Sequence, residues 1–196
     1  MFTDIKTALR PAIALTLLFT LLLGLAYPLA LTGIGQALFP RQANGSLIRD
    51  ANGRVIGSEL LAQGFASPRY FAGRPSAAGQ GYDAAASAGS NLGPNAQALA
   101  DRVKESAASL RTSSQASPGQ SVPADLVTTS ASGLDPHLSP EAALYQAPRV
   151  AAARGVPVER VRALVREHVE GPGLLGQPRV NVLALNRALD GAAARR

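Results

Sequence analysis

The chain has 196 residues, 46% of them apolar, and a formal net charge of +6, enough for one modest domain with its own core and an accessory segment. It has no cysteine, and His137 and His168 are its only histidines, which excludes disulfides, thiolate metal sites, a cysteine nucleophile and a histidine-rich metal centre. Its 19 basic residues are arginine apart from Lys6 and Lys104, and they are scattered among few aromatics, so they read as a solvated surface and no nucleic-acid partner is expected.

Residues 11–40 carry no charge, and the stretch from Ala14 to Leu25 is almost wholly Leu, Ala, Thr and Phe. Such a run exceeds the roughly 20 residues that cross a bilayer core. It continues past Ala26-Tyr27-Pro28, beyond the length of a cleavable signal. The expectation is a retained single transmembrane helix over residues 12–34, with a short cytoplasmic tail over residues 1–11. Tyr27 suits headgroup depth. Pro28 is expected to kink the helix or begin its fraying end. Basic residues flank both sides, Lys6 and Arg10 before and Arg41, Arg49 and Arg54 after, so charge alone leaves the orientation ambiguous. The simpler arrangement puts the tail inside and residues 35–196 outside as one soluble domain.

In that domain, Asn52-Gly53 between two short apolar runs signals a hairpin. Residues 64–92 are rich in Gly, Ser and Pro around Phe65, Tyr70, Phe71 and Tyr82, and read as irregular structure pinned by buried rings. Ala96, Leu99, Val103, Ala107 and Leu110 recur at helical spacing. Residues 112–122 are uncharged and polar, and a flexible loop is expected there. Asp125 to Ser130 is β-branched enough for a strand. Ser139-Pro140-Glu141 has the cap, N1 proline and first-turn acid of a helix start, Pro148 breaks or kinks that helix, and Gly155 is its left-handed stop. Val158, Val161, Leu164 and Val165 mark a short helix with Arg160, Arg162 and Arg166 on its wet face. Val180 to Val182 is extended, and a last helix over 183–189 ends at Asp190-Gly191. Strands and helices mix without a βαβ rhythm, so the fold class is α+β.

Little here points to self-contained catalysis. Ser130, Ser132, Asp135 and His137 supply the residue types of a hydrolytic triad, but a triad is defined by geometry, and no Gly-x-Ser-x-Gly elbow is present. A turn whose side chains cap backbone groups is the favoured reading, with an anchored hydrolase ranked last. No Walker A loop occurs, and Ser87 to Asn91 is at most a weak anion-binding turn.

Ordered motifs along nearly the whole chain resemble the KdpC family, a component of the bacterial Kdp potassium-transporting ATPase. They are Tyr27-Pro28-Leu29; Phe39-Pro40 with Gln42-Ala43-Asn44-Gly45; Tyr70-Phe71 with Gly73-Arg74-Pro75-Ser76; Ser87 to Leu92; Pro123 to His137, including Ser130, Ser132, Gly133 and Asp135; Gln146 with Pro148-Arg149; and Gln177-Pro178-Arg179-Val180-Asn181. Ser87-Ala88-Gly89-Ser90 departs from the family's frequent Ser-Gly-Gly-Ser. The resemblance implies an accessory, non-catalytic subunit in the bacterial inner membrane, without a cofactor of its own. Its implied partners are a channel-like potassium-binding subunit, a P-type ATPase subunit that binds the ATP, and a small single-helix subunit. It also implies a catalytic-chaperone role that raises ATP affinity in the ATPase subunit; the alternative is a purely structural subunit that stabilises the complex and covers the potassium entrance. The positions that the chaperone role would carry over to are Gln63, Ser87, Gly89, Ser90 and Asn91. Arg74, Arg149 and Arg179 either bind a partner or pair with carboxylates inside the domain, and internal pairing is the favoured reading.

Overall fold

The computed structural model describes residues 2–115 and 119–194. It divides into two compact units, Met1–Leu47 and Ile48–Arg196. The fold is α+β, with one long apolar helix at the N-terminus and a small mixed domain after it.

The first unit is helical: α1 (Phe2–Leu21), a π turn (Leu22–Ala26), α2 (Tyr27–Leu38) and the single turn α3 (Pro40–Ala43). Within it, Ile5–Leu38 is 34 residues long and apolar enough to cross a membrane. At 1.5 Å per residue it extends about 50 Å, well beyond a bilayer core of about 30 Å. The helix does not fray at Pro28. It passes through the π turn, in which the Tyr27 N–H reaches back to the Leu22 carbonyl. Proline has no N–H to give and its ring crowds the carbonyl four residues earlier, here that of Gly24. A one-turn π bulge immediately before Pro28 relieves that crowding without ending the helix. Tyr27 and Pro28 are both exposed within this unit. Phe39, at φ −133°, leaves the helical path, and Pro40 opens α3.

The expected hairpin forms from β1 (Leu47–Arg49), whose residues from Ile48 onward open the second unit, and β2 (Val55–Ser58). The Asp50 carboxylate accepts the N–H groups of Asn52 and Arg54, both at 2.9 Å, while Gly53 takes φ +78°. A long irregular stretch follows, then α4 (Gln97–Ser113). The loop expected over 112–122 therefore starts later: Thr112 and Ser113 are helical, and the Ser114 N–H bonds the Leu110 carbonyl. Residues 116–118 lie outside the described residues.

The strand expected at 125–130 is not formed. Ala124–Leu126 is a short 3₁₀ turn. The Thr128 N–H and hydroxyl both bond the Ala124 carbonyl, at 2.9 and 2.8 Å, and local bonds of this kind compete with a strand ladder. The strand lies further on, β3 (His137–Leu138), at one edge of an antiparallel sheet of order β3-β5-β4. Its other members are β4 (Val169–Glu170) and β5 (Arg179–Asn181). Val180 pairs with Leu138 on one side and Val169 on the other.

Three helices complete the domain: α5 (Pro140–Arg154), α6 (Val158–Glu167) and α7 (Val182–Ala194). Ser139 caps α5 by accepting the Ala142 N–H, and Gly155 stops it at φ +65°. Pro148 interrupts nothing, and α5 runs through it. Helix α7 does not end at Asp190-Gly191. Asp190 is held by Arg154 and Tyr70 from outside the helix, and a solvent-facing glycine adds only about 1 kcal/mol against continuation. The core lies between α5, α6, α7 and β5, around Tyr145, Val150, Val161, Val165, Val180 and Leu185, none more than 1% exposed.

Candidate functional site

The irregular segment from Pro68 to Ser76 runs beside α5 and α7 without a strand partner, so its backbone groups need side chains to satisfy them. Two buried amides do this. Asn186 on α7 accepts the Phe71 N–H at 2.8 Å and donates to the Phe71 carbonyl at 2.9 Å. Gln146 on α5 accepts the Ala72 N–H at 2.9 Å and donates to the Ala72 carbonyl at 3.0 Å. Each amide thus imitates a neighbouring strand. Arg149, one turn along α5, donates to the carbonyls of Pro68 and Tyr70 and to the Gln146 side chain. Among the described residues it pairs with no carboxylate, and burial lowers its pKa below the ordinary arginine value. Arg154 closes the cluster: it donates to the Arg69 carbonyl, pairs with Asp190 at 2.9 Å and lies over the Tyr70 ring.

A second cluster gathers on the turn Ser130–Asp135. The Arg74 guanidinium pairs with Asp135 at 3.3 Å and donates to the Thr129 carbonyl. Next along the chain is half-buried Pro75, and then Ser76, whose hydroxyl donates to the Gly133 carbonyl at 2.7 Å and accepts the Tyr82 N–H at 2.8 Å. The Tyr82 hydroxyl donates to the Arg74 carbonyl, and burial raises its pKa. Ser132 accepts at its carbonyl from the Ser87 hydroxyl and the Ala88 N–H, at 3.0 and 3.1 Å, and its own hydroxyl accepts the Leu134 N–H. Gly133 must be glycine: at φ +69°, a Cβ there would lie 2.7 Å from the Ala88 carbonyl oxygen. Gly89 is packed as closely, with a Cβ position 2.8 Å from the Ala131 carbonyl oxygen.

Asp135 also caps the next residues. Its carboxylate accepts the His137 N–H at 3.0 Å and faces His137 Nδ1 at 3.4 Å. The hydrogen bond from the His137 side chain, with help from its charge and that of Arg74, holds the Asp135 carboxyl below its usual range against the opposing effect of burial. His137 Nε2 faces Glu170 at 4.0 Å, and Glu170 pairs with Arg179 at 3.1 Å. Asn181 links the sheet to α7, donating to the Glu59 carbonyl and accepting the Ala184 N–H.

The arrangement does not assemble a triad. Both His137 nitrogens face carboxylates, while Ser130 is buried and its carbonyl accepts the Gly133 N–H. Of the positions the resemblance singled out, Ser87 donates its hydroxyl to the Ser132 carbonyl, Gly89 packs against Ala131, and Ser90 is half-buried between Gly89 and the exposed Asn91. The Gln63 amide lies against Gly57, where a Cβ would overlap it. Gln63 also lines a cavity of about 10 Å³ with Phe65, Gly73 and Asp135, room for about one water molecule. Gln63 and the Ser87–Ser90 turn do share a neighbour, since Ala62 bonds the Leu134 carbonyl and Ala88 the Ser132 carbonyl.

Comparison with known proteins gives this geometry a family. The model of the family described as K+-transporting ATPase, c chain, matches residues 9–191. The chain belongs to the KdpC family. A relative from Caulobacter vibrioides, named potassium-transporting ATPase KdpC subunit, is 64% identical over 93% of this chain and 92% of its own. Relatives of the same name from Bradyrhizobium diazoefficiens and Myxococcus xanthus are 56% and 57% identical, over 95% and 97% of this chain and 98% and 89% of theirs. The KdpC match takes in the apolar helix and both side-chain clusters.

Several working residues of this KdpC chain escape sequence reasoning. Asn186, Tyr82, Ser76, Arg154 and Asp190 hold the clusters together, yet none of them is among the expected site residues, although Ser76 lies in the Gly73-Arg74-Pro75-Ser76 motif and Tyr82 among the rings expected to be buried. A signal exists for Asn186, as for Gln146: a polar amide on the apolar face of a helix demands a buried partner. Nothing local marks Arg154 or Asp190, whose partners lie 85 and 120 residues away, at Arg69 and Tyr70.

Proposed function

We propose that this chain is the accessory KdpC-type component of an ATP-driven potassium uptake complex in the bacterial inner membrane, a rigid binding body on a single-pass anchor. Residues 1–11 lie on the cytoplasmic side, residues 12–34 cross the bilayer, and the domain from residue 35 onward lies outside. Its partners are the channel-like potassium-binding subunit, the P-type ATPase subunit and the small single-helix subunit. The chain performs no chemistry, and ATP is bound by the ATPase subunit. The observation that supports this reading is how the domain uses its polar side chains. Gln146, Arg149, Asn186, Arg74 and Asp135 are engaged in fixing loop backbone, as a docking surface requires and a reacting centre does not.

In this reading, catalytic-chaperone action is a coupling through the assembly. A domain beyond a hydrocarbon core of about 30 Å has no access to ATP on the far side. Because the chain lacks cysteine, Lys104→Cys provides a unique thiol on an exposed face of α4. A membrane-impermeant thiol reagent should label it from outside only, and labelling from the cytoplasmic side would overturn the orientation. Deleting residues 48–196 while retaining the helix should abolish assembly and high-affinity potassium uptake. Survival of both would sink the proposal.

A further inference from the structure

Strands β4 and β5 are joined by residues 171–178, Gly-Pro-Gly-Leu-Leu-Gly-Gln-Pro, and at the tip Leu174 and Leu175 are 97% and 88% exposed. Single exposed leucines are ordinary on a protein surface. Two adjacent ones, both near full exposure at the end of a projecting turn, are a different matter, because a turn needed only to reverse the chain draws on Gly, Asn, Asp and Ser. The stalk below them is firm. Val180 is fully buried between Leu138 and Val169, and Glu170 faces Arg179 both in the strand register and in an ion pair at 3.1 Å. Pro172 and Pro178 fix φ at the two shoulders of the turn. Gly173 and Gly176 take φ of +61° and +131°.

The tip's chemistry narrows what covers it. Residues 171–178 carry no charge and no aromatic ring. A bilayer anchor would set unpaired basic residues beside its apolar tip for the headgroups, and Trp or Tyr at the interface, whereas the flanking Arg179 is neutralised by Glu170 at 3.1 Å. A dimer face would need about 800 Å² from each copy, far more than two leucine side chains supply. A compact, uncharged apolar pocket on a different protein matches both the size and the neutrality, because it removes both leucine side chains from water.

We infer that the β4–β5 tip is a docking plug: Leu174 and Leu175 fill an uncharged apolar pocket on another subunit of the transport complex. This rests on the assembly role proposed above and adds to it the element that makes the contact. The test uses the full chain co-expressed with the other subunits, captured through a tag on the ATPase subunit. Leu174→Ser and Leu175→Ser should each weaken retention of this chain on the order of ten-fold or more. Leu174→Met, which keeps the apolar volume, and Gln177→Ser, in the same turn, should retain it. Each variant should melt with the wild-type chain, because the tip takes no part in the core. A photo-reactive residue at position 174 should cross-link to another subunit. Equal retention of the wild type and the double serine variant overturns the plug alone, as do cross-links confined to lipid or to a second copy. Failure of the wild-type chain to be retained overturns the assembly role as well.

Discussion

Replacing Asn186 by alanine removes the two hydrogen bonds that hold the backbone of Phe71, at 2.8 and 2.9 Å. Phe71 is fully buried and Asn186 is 1% exposed, so the freed N–H and carbonyl stay in the interior. A buried polar group left without a partner costs about 1–3 kcal/mol, so the pair amounts to roughly 2–6 kcal/mol. A domain of this size holds about 5–15 kcal/mol in total and loses about 2–4 °C of Tm per kcal/mol. Asn186→Ala should therefore lower Tm by roughly 5–20 °C. Gln146→Ala should act similarly, through the adjacent residue Ala72. Because both amides clamp one stretch of backbone, releasing either loosens both, and the double variant should lose less than the sum of the singles. Thermal unfolding of the full chain in detergent, followed by circular dichroism, measures this, with the apolar helix contributing a steady baseline. An Asn186→Ala loss under about 0.5 kcal/mol, or strict additivity with Gln146→Ala, would refute the clamp.

Gly133→Ala should be the most damaging of the glycine changes, since it adds a left-handed backbone penalty of about 1–2 kcal/mol to a clash with the Ala88 carbonyl, whereas Gly93→Ala, with open space around it, should be close to neutral in the same melts. Asp135 gives the domain an acid-sensitive element: its pKa is lowered on folding, so its contribution is full above the ordinary value of 3.8 and is lost as pH falls through the lower folded value. Denaturant titrations between about pH 6 and 2 should show that loss, and Asp135→Asn should flatten it. His137→Ala removes the largest cause of the shift, so the Asp135 carboxyl resonance should titrate nearer the ordinary value. Ser87→Ala should leave ATP affinity of the assembled complex unchanged while lowering domain stability by about 1 kcal/mol, because its hydroxyl is spent on the Ser132 carbonyl; a selective loss of ATP affinity would point to direct nucleotide contact.

Features that depend on neighbours along the chain follow from the order of residues alone. The uncharged run before Arg41 fixes a helix long enough for a membrane, because apolar length alone sets that property. Asp50 to Gly53 fixes a hairpin and Ser139 to Gly155 fixes α5 with both ends, because caps and turns are local chemistry. The same local reading failed where distant partners decide. Asp125 to Ser130 has strand-like composition but is held in a 3₁₀ turn, with the Asp125 carboxylate accepting the Ser139 N–H at 2.7 Å. Asp190-Gly191 has the composition of a stop, yet Arg154 and Tyr70 keep Asp190 in α7. The candidate site was legible only as residue types. Tertiary structure decided that Ser87 and Gly89 lie against the Ser132 turn, that Arg149 binds carbonyls where Arg74 and Arg179 bind carboxylates, and that two leucines are left outside. The reason is physical: a buried polar group must find a partner wherever the fold brings one, and Gln146 and Asn186 find theirs at Ala72 and Phe71, 74 and 115 residues away.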